Sequence, residues 1–230
     1  MEDTLKKGLH LLNISGNKDK VLELLLSYIN EIKIFNAVFN LVKVNDDKDL
    51  VISHILDSLA AWYFFDKEFA ALSKNHSQKI FVGDAGSGAG LPGIPLASLF
   101  LLNRPEINFS LIERMTKRCG FLKNVKAVLN LTNTEILETE AEKTAKNYFD
   151  ILTCRAFRPL DEHILQILLR CTKPGGKLFL YKATQEKLEN EIKIIKKSNL
   201  KFTIKKLNCP FVKKERCLLI AEKPIDSGLK

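Results

Sequence analysis

The densest glycine cluster of the chain follows directly after a strand-like run. Five of the eleven glycines lie between Gly83 and Gly93, and the residues before them, 79–82, are typical of a buried strand. Glycine tolerates positive φ values and has no Cβ, so backbone in such a turn can approach a ligand closely. A strand, a glycine-rich turn and a helix in this order predict an α/β domain that binds a nucleotide-like cofactor.

The spacing of the glycines separates several classes of loop. A literal GxGxxG, typical of dinucleotide binding, is present at Gly88, Gly90 and Gly93. Its register is poor, however, because the strand ends near Asp84, and from that point the pattern is Asp-x-Gly-x-Gly-x-Gly. No Gly-Lys-Ser/Thr follows, which excludes a P-loop. Ala85 and Ala89 stand where a nucleophile elbow around Ser87 would have glycines, which excludes that elbow.

From residue 79 onward, strand-like and helix-like runs alternate. The strand-like runs lie at 79–84, 107–113, 134–138, 150–154, 177–182, about 200–206 and 216–221, and the helix-like runs lie at about 91–102, 115–130, 160–172 and 184–197. Alternation predicts a Rossmann-like, mostly parallel, seven-stranded sheet with helices on both faces. The last two strands are too close together for an intervening helix, so we expect them to form an antiparallel edge hairpin.

The N-terminal part has a different pattern. Apolar residues recur there at three- and four-residue steps, which predicts helices, and Asp46-Asp47 is expected to cap one of them. We therefore expect a small helical region at 1–75, a polar connection near 72–78, and a cofactor-binding domain at 76–230. In that domain, the helix after the glycine loop is expected to start at about Leu91, with Pro92 in its first turn.

Composition and charge restrict the class of protein. No run of 18 apolar residues is present and the N-terminus lacks the apolar core of a signal peptide, so we expect a cytoplasmic protein with no membrane span. The five cysteines are scattered and never form CxxC, which favours reduced thiols and no metal site. Residues 187–216 carry ten Lys or Arg against three Glu, which favours a polyanionic partner, with solvated lysines as the alternative.

The second strand ends at Glu113, in the position of an acid that binds ribose in dinucleotide-binding proteins. A carboxylate there can accept both hydrogen bonds of a ribose diol. The alternative is an exposed acid near a helix N-terminus. Because Glu113 accompanies a glycine loop, the ribose interpretation is favoured.

The segment from Asp84 to Ala97 resembles the glycine motif of the RsmG (GidB) family, S-adenosylmethionine-dependent methyltransferases that act on guanine N7 in small-subunit (16S) ribosomal RNA. The Leu-Pro-Gly-Ile-Pro extension of the motif is more specific than its glycines alone. Other segments that resemble the family are Asn40-Leu41, His54 to Leu59, Lys117-Arg118 with Phe121-Leu122, Ala141-Glu142, Cys154 to Phe157 and Leu180 to Lys182. The similarity runs from about residue 35 to 185 in the family's order.

The resemblance implies S-adenosyl-L-methionine as cofactor and ribosomal RNA or the small ribosomal subunit as partner. The residues that it places at the cofactor are Asp84, Gly86, Gly88, Gly90, Leu91, Glu113, Ala141, Glu142 and Arg155. The bases expected at the RNA are Lys117, Arg118, Lys123, Lys126, Arg155 and Lys182, with the 187–216 cluster. Glu113 would hold the ribose and Ala141-Glu142 would lie at the adenine, whereas Arg155 would contact cofactor, flipped guanosine or phosphate. We expect a monomer.

Three positions depart from the family pattern. Ser53 and Glu140 stand where basic residues are common, and Ala183 stands where a glycine is found. The first two remove positive charge from the side expected to face RNA. Nearby, His54 and Asp57 share one helix face, for which a role in bracing the N-terminal region against the sheet is favoured over a part in RNA or cofactor closure.

The implied chemistry needs no proton transfer before methyl transfer. Guanine N7 already carries a free lone pair, so we assign no residue as an obligatory general base. Three alternatives stay open at this point. They are a methyltransferase of the same fold acting on a small molecule or a protein, an NAD-dependent oxidoreductase using the GxGxxG, and a non-catalytic RNA-binding factor.

Overall fold

The computed structural model describes residues 1–75, 79–182 and 185–225 and has a seven-stranded sheet at its centre. The strands are β1 (Ile80–Ala85), β2 (Ile107–Glu113), β3 (Thr134–Glu138), β4 (Phe149–Arg155), β5 (Thr172–Lys182), β6 (Lys201–Leu207) and β7 (Arg216–Glu222). Their order in space is β3-β2-β1-β4-β5-β7-β6. Strands β1 to β5 are parallel, and β7 runs antiparallel to both β5 and β6, which confirms the predicted sheet and edge hairpin.

Helices lie on both faces of this sheet. They are α1 (Glu2–Leu11), α2 (Lys18–Phe39), α3 (Asp47–Asp49), α4 (Asp57–Leu59), α5 (Trp62–Asn75), α6 (Gly93–Phe100), α7 (Thr116–Val128), α8 (Glu162–Cys171) and α9 (Gln185–Lys197), with a π-helical segment at Leu50–Leu56 and a 3₁₀ turn at Ala141–Lys143. Alternate residues of β5 serve the two faces: Leu178 and Leu180 belong to the core under α8 and α9, and Phe179 to the core under the other helices. Among the described helices, none is long and apolar enough to cross a membrane.

The N-terminal helices join the same apolar core as one face of the sheet. Tyr28 of α2 and Leu56 of the π-helical segment belong to the cluster that also holds Phe109 of β2 and Phe179 of β5. The expected cap is present, because the Asp46 carboxylate accepts the Asp49 N–H at 2.7 Å. The expected polar connection at 72–78 is wrong in its first part, because residues 72–75 belong to helix α5. Residues 76–78 lie outside the described residues, as does the departure at position 183.

The helix after the glycine loop begins later than predicted. It starts at Gly93 rather than near Leu91, and Pro92 is the residue before its first turn. The backbone of the glycine loop continues in turns through residue 92, and the helix begins only after it. Strand β1 and helix α6 therefore frame a loop that runs from Gly86 to Pro92.

Candidate functional site

A cavity of about 280 Å³ opens at the carboxyl ends of the parallel strands. Its walls come from the loops after four strands: Gly86 after β1, Met115 after β2, Thr139 after β3 and Phe157 after β4. This is the edge at which the strand order reverses between β1 and β4, where open α/β sheets bind their ligands. The cavity therefore lies where the glycine loop predicted a site.

Glu113 is fixed in the cavity wall by backbone donors. Its carboxylate accepts the Gly88 N–H at 3.0 Å on Oε2 and the Met115 N–H at 2.9 Å on Oε1, and its side chain is only 4 % exposed. The Arg118 guanidinium lies 3.8 Å from Oε2. Each carboxylate oxygen has two lone pairs, so both keep acceptor capacity for a ligand. The predicted ribose acid is thus held in place and still able to accept hydrogen bonds.

The glycines of the loop have different tasks. Gly86 has φ +64°, and a Cβ there would lie 2.1 Å from Cδ2 of Phe157. Gly90 faces away from the cavity, because a Cβ there would press on Ile94 at 2.5 Å and lie 3.3 Å from the Tyr28 hydroxyl. Of the predicted glycine contacts, Gly86 lines the cavity, while Gly88 acts through its N–H on Glu113.

Asp84 and Tyr28 hold the loop from beneath. Oδ2 of Asp84 accepts the Ser87 hydroxyl at 2.6 Å and the Gly93 N–H at 3.0 Å, which ties the end of β1 to the start of α6. Burial raises the pKa of Asp84 to about 6. The Tyr28 hydroxyl donates to the Ala89 carbonyl at 2.6 Å. Sequence reasoning missed Tyr28, because it lies within an apolar helical row that gives no sign of a polar contact.

Arg155, at the end of β4, turns toward the N-terminal helices. Its guanidinium donates to Asp57 Oδ2 at 2.9 Å and to the Ser53 carbonyl at 3.2 Å, and Nη2 lies 3.3 Å from His54 Nδ1. The second Asp57 oxygen accepts from Nε of Arg216 at 2.8 Å. These contacts connect the π-helical segment and α4 to β4 and β7, which is the bracing role expected for this face. Sequence reasoning missed Arg216, which was counted only within the basic cluster.

The predicted adenine pair is split by the fold. Ala141 lines the cavity, whereas Glu142 is not among the lining residues. The Glu142 carboxylate instead accepts from Nη1 of Arg158 at 2.8 Å. Glu140, one of the departures from the family pattern, lines the cavity and lies 3.1 Å from the Lys143 ammonium.

The basic residues predicted to contact RNA differ in their exposure and in whether a carboxylate lies beside them. Lys117 is exposed at the start of α7, and Arg118 reaches the cavity. Lys123 is exposed but lies 2.8 Å from the Glu138 carboxylate. Lys182 is largely buried and lies 2.8 Å from the Glu191 carboxylate, so of this set it is the least available to a phosphate. Lys126, also on α7, is half-buried.

Two of the four buried cysteines have thiols that are hard to ionise. Burial raises the pKa of Cys154 to about 12, and burial likewise raises the pKa of Cys209 to about 12. Both thiols are therefore protonated near neutral pH, and a protonated thiol is a poor nucleophile and metal ligand.

Residues 21–220 of the chain match the protein family described as "rRNA small subunit methyltransferase G". The chain belongs to this family. A family member from Treponema denticola, named ribosomal RNA small subunit methyltransferase G, is 53% identical over 96% of this chain and 94% of its own length. A relative of the same name from Treponema pallidum is 33% identical over 96% of this chain and 93% of its own length.

Solved structures confirm the fold. A methyltransferase from Pyrococcus furiosus superposes with a TM-score of 0.55 at 17% identity, covering 87% of this chain and 98% of that one. The predicted Rossmann-like methyltransferase fold, with its antiparallel edge strands, is therefore confirmed for this chain.

Proposed function

We propose that this chain methylates guanine N7 in small-subunit (16S) ribosomal RNA, with S-adenosyl-L-methionine as methyl donor. Membership of the family over residues 21–220 supports the substrate. The structural observation that carries the cofactor assignment is the Glu113 carboxylate, fixed by the Gly88 and Met115 N–H groups at the wall of the cavity.

The residues around the cavity fit an adenosyl group. Glu113 would accept the ribose hydroxyls, Ile112 and Met115 offer apolar surface, and Ala141 would lie at the adenine. At Gly86 a side chain would collide with the Phe157 ring of the neighbouring loop, so this point of the cavity wall needs glycine. When bound, S-adenosylmethionine supplies a methyl group on a positively charged sulfur.

The chain contributes position and a dry environment rather than a proton acceptor. Guanine N7 has its own lone pair, so the residues need only hold the base in line and exclude water. The proposed reaction is therefore in-line methyl transfer without an obligatory general base.

The three alternatives are not favoured. Family membership argues against a small-molecule or protein substrate and against an oxidoreductase. In the GxGxxG, the Gly93 N–H is already engaged by Asp84 and is therefore not free to bind a pyrophosphate. A non-catalytic role is at odds with an ordered glycine loop and an ordered ribose acid.

We further propose a cellular location, an oligomeric state and an RNA-facing surface for the protein. It acts in the cytoplasm, where ribosomal RNA is found, as a monomer whose basic α7 and C-terminal part face the RNA or the small subunit. Residues 1–75 form the helical region and 76–230 the methyltransferase domain. The shared apolar core supports a tight association of the two.

Calorimetric titration with S-adenosylmethionine, S-adenosylhomocysteine and NADH tests the cofactor assignment. We expect both adenosyl ligands to bind wild type and NADH not to bind. Glu113→Ala should weaken adenosyl binding about 10- to 100-fold, since it removes hydrogen bonds to a charged acceptor. Glu106→Ala is the matched control, because Glu106 precedes the opposite end of β2 and its carboxylate faces Arg104. Tighter binding of NADH, or no adenosyl binding with or without 16S RNA present, would contradict the proposal.

A further inference from the structure

The loop after β4 reaches across to the glycine loop. Ala156 has φ +55°, a left-handed conformation that is uncommon for a residue with a side chain. The next residue, Phe157, lies with its ring against Gly86, at the spot that a Cβ of residue 86 would occupy. Both Phe157 and Gly86 line the cavity. An aromatic ring therefore forms the wall between the ends of β1 and β4.

Arg158 lies against this ring and is itself paired with Glu142. The guanidinium of Arg158 lies over the Phe157 ring, 4.9 Å from its centroid, within the range of a cation–π contact. Its Nη1 donates to Oε1 of Glu142 at 2.8 Å. The chain of contacts Phe157–Arg158–Glu142 thus connects the loop after β4 to the 3₁₀ turn after β3.

The two oxygens of the Glu142 carboxylate have different surroundings. Its second oxygen, Oε2, is buried and has no hydrogen-bond partner among the described residues. Its side chain is 30% exposed and that of Arg158 is 36% exposed. The Glu142 carboxylate thus pairs with Arg158, which lines the cavity, whereas Glu142 itself does not line it.

We propose that Phe157 is a further ligand-contacting residue of this site, and that Arg158 and Glu142 are its positioning residues. The inference rests on the proposed function, since the ligand is the adenosyl cofactor. It gives Glu142 a task different from the adenine contact that the family resemblance implies. With its ring against Gly86, Phe157 closes the end of the cavity next to the glycine loop and keeps water from it.

The rate at which S-adenosylhomocysteine leaves the site measures this role. We expect Arg158→Gln and Glu142→Gln each to raise the dissociation rate about three- to fivefold, because a partly exposed ion pair contributes modestly. The double variant should be no faster than either single one, since both act through the same ring. Arg158→Lys keeps a cation that can lie over the ring, so it should retain part of the slow dissociation.

A matched pair elsewhere controls for a general loss of stability. Arg104 and Asp66 are also 2.8 Å apart, with side chains 26% and 33% exposed, and neither lines the cavity. Arg104→Gln should lower Tm by an amount similar to Arg158→Gln and leave the dissociation rate unchanged. Phe157→Ala should accelerate dissociation more than Arg158→Gln does, and Phe157→Leu should fall between Phe157→Ala and wild type.

The outcomes separate this inference from the proposed function. If wild type binds S-adenosylhomocysteine but Arg158→Gln and Glu142→Gln release it at the wild-type rate, the positioning role is overturned and the proposed function stands. An equal acceleration in Arg104→Gln would overturn it as well. If wild type binds neither adenosyl ligand, with or without 16S RNA, the proposed function fails and this inference fails with it.

Discussion

Asp84 shows how a single residue can be both scaffold and titrating group. One of its oxygens holds the Ser87 hydroxyl and the Gly93 N–H, while the other is buried without a partner among the described residues. Burial raises its pKa to about 6, against the opposing effect of those two hydrogen bonds. The loop is therefore tied to α6 by a carboxylate whose charged form is disfavoured.

Replacing Asp84 by asparagine should change how stability depends on pH. Because its pKa is raised above the ordinary value of 3.8 in the folded chain, Asp84 favours folding most below that value, and this contribution disappears as pH rises through about 6. Asn does not titrate, so the stability of Asp84→Asn relative to wild type should rise between about pH 4 and 7. The rise has an upper bound of about 3 kcal/mol. Urea unfolding across this range measures it, and a difference that does not vary with pH would contradict the account.

Much of the site at the residue scale was predictable, because glycine and a strand-end acid have few other reasons to occur together. The sequence predicted Gly86 and Glu113, and both line the cavity. It did not predict Tyr28 or Phe157, since their roles depend on contacts between segments far apart in the chain. Which way Arg155 turns was equally beyond sequence reasoning, because its partners lie some 100 residues earlier.

At the scale of elements, the types were predictable and some boundaries were not. Strand β5 starts at Thr172, five residues before the predicted 177, because the register shift opposite Phe149 absorbs the Pro-Gly-Gly that suggests a turn. The π-helical segment Leu50–Leu56 was also missed. Apolar spacing indicates a helix there, but it does not distinguish an i→i+5 from an i→i+4 hydrogen-bond pattern.

The π-helical segment Leu50–Leu56 ends directly before Asp57, whose carboxylate connects α4 to strands β4 and β7. Asp57 is largely buried between the guanidiniums of Arg155 on β4 and Arg216 on β7. Asp57→Ala leaves both cations without this partner, so we expect it to lower the free energy of unfolding by about 3–5 kcal/mol. Asp66→Ala, which breaks the more exposed pair with Arg104, should cost about 1 kcal/mol or less. Equal destabilisation of the two variants, measured by urea unfolding, would show that the Asp57 contacts do not brace the fold.

On the scale of the whole molecule, the basic residues of helix α7 begin next to the cavity. Helix α7 starts beside the cavity with Lys117 and Arg118 and continues with Lys123 and Lys126. The sequence predicted this grouping, because one amphipathic helix carries all four bases. It did not predict that Lys182 would be held by Glu191, which depends on the packing of α9 against β5.

Salt dependence tests whether α7 binds RNA phosphates. We expect affinity for 16S RNA to fall steeply with salt. The double variant Lys117→Gln/Lys126→Gln should reduce the slope of log K against log salt by about 0.7 for each phosphate that is no longer neutralised. Lys6→Gln/Lys7→Gln removes the same charge from the exposed face of α1 and should leave the slope unchanged. A slope that falls equally in both double variants would mean that net charge alone, and not α7, sets the affinity.

The most direct test of the central claim is to identify the methylated nucleoside. Unmethylated 16S RNA and small subunits are incubated with isotopically labelled S-adenosylmethionine and the protein, then digested to nucleosides for mass spectrometry. The account predicts 7-methylguanosine as the labelled product, formed by wild type and Glu106→Ala and strongly reduced in Glu113→Ala. Label in a different nucleoside, or no label in RNA from a protein that binds the cofactor, would contradict it.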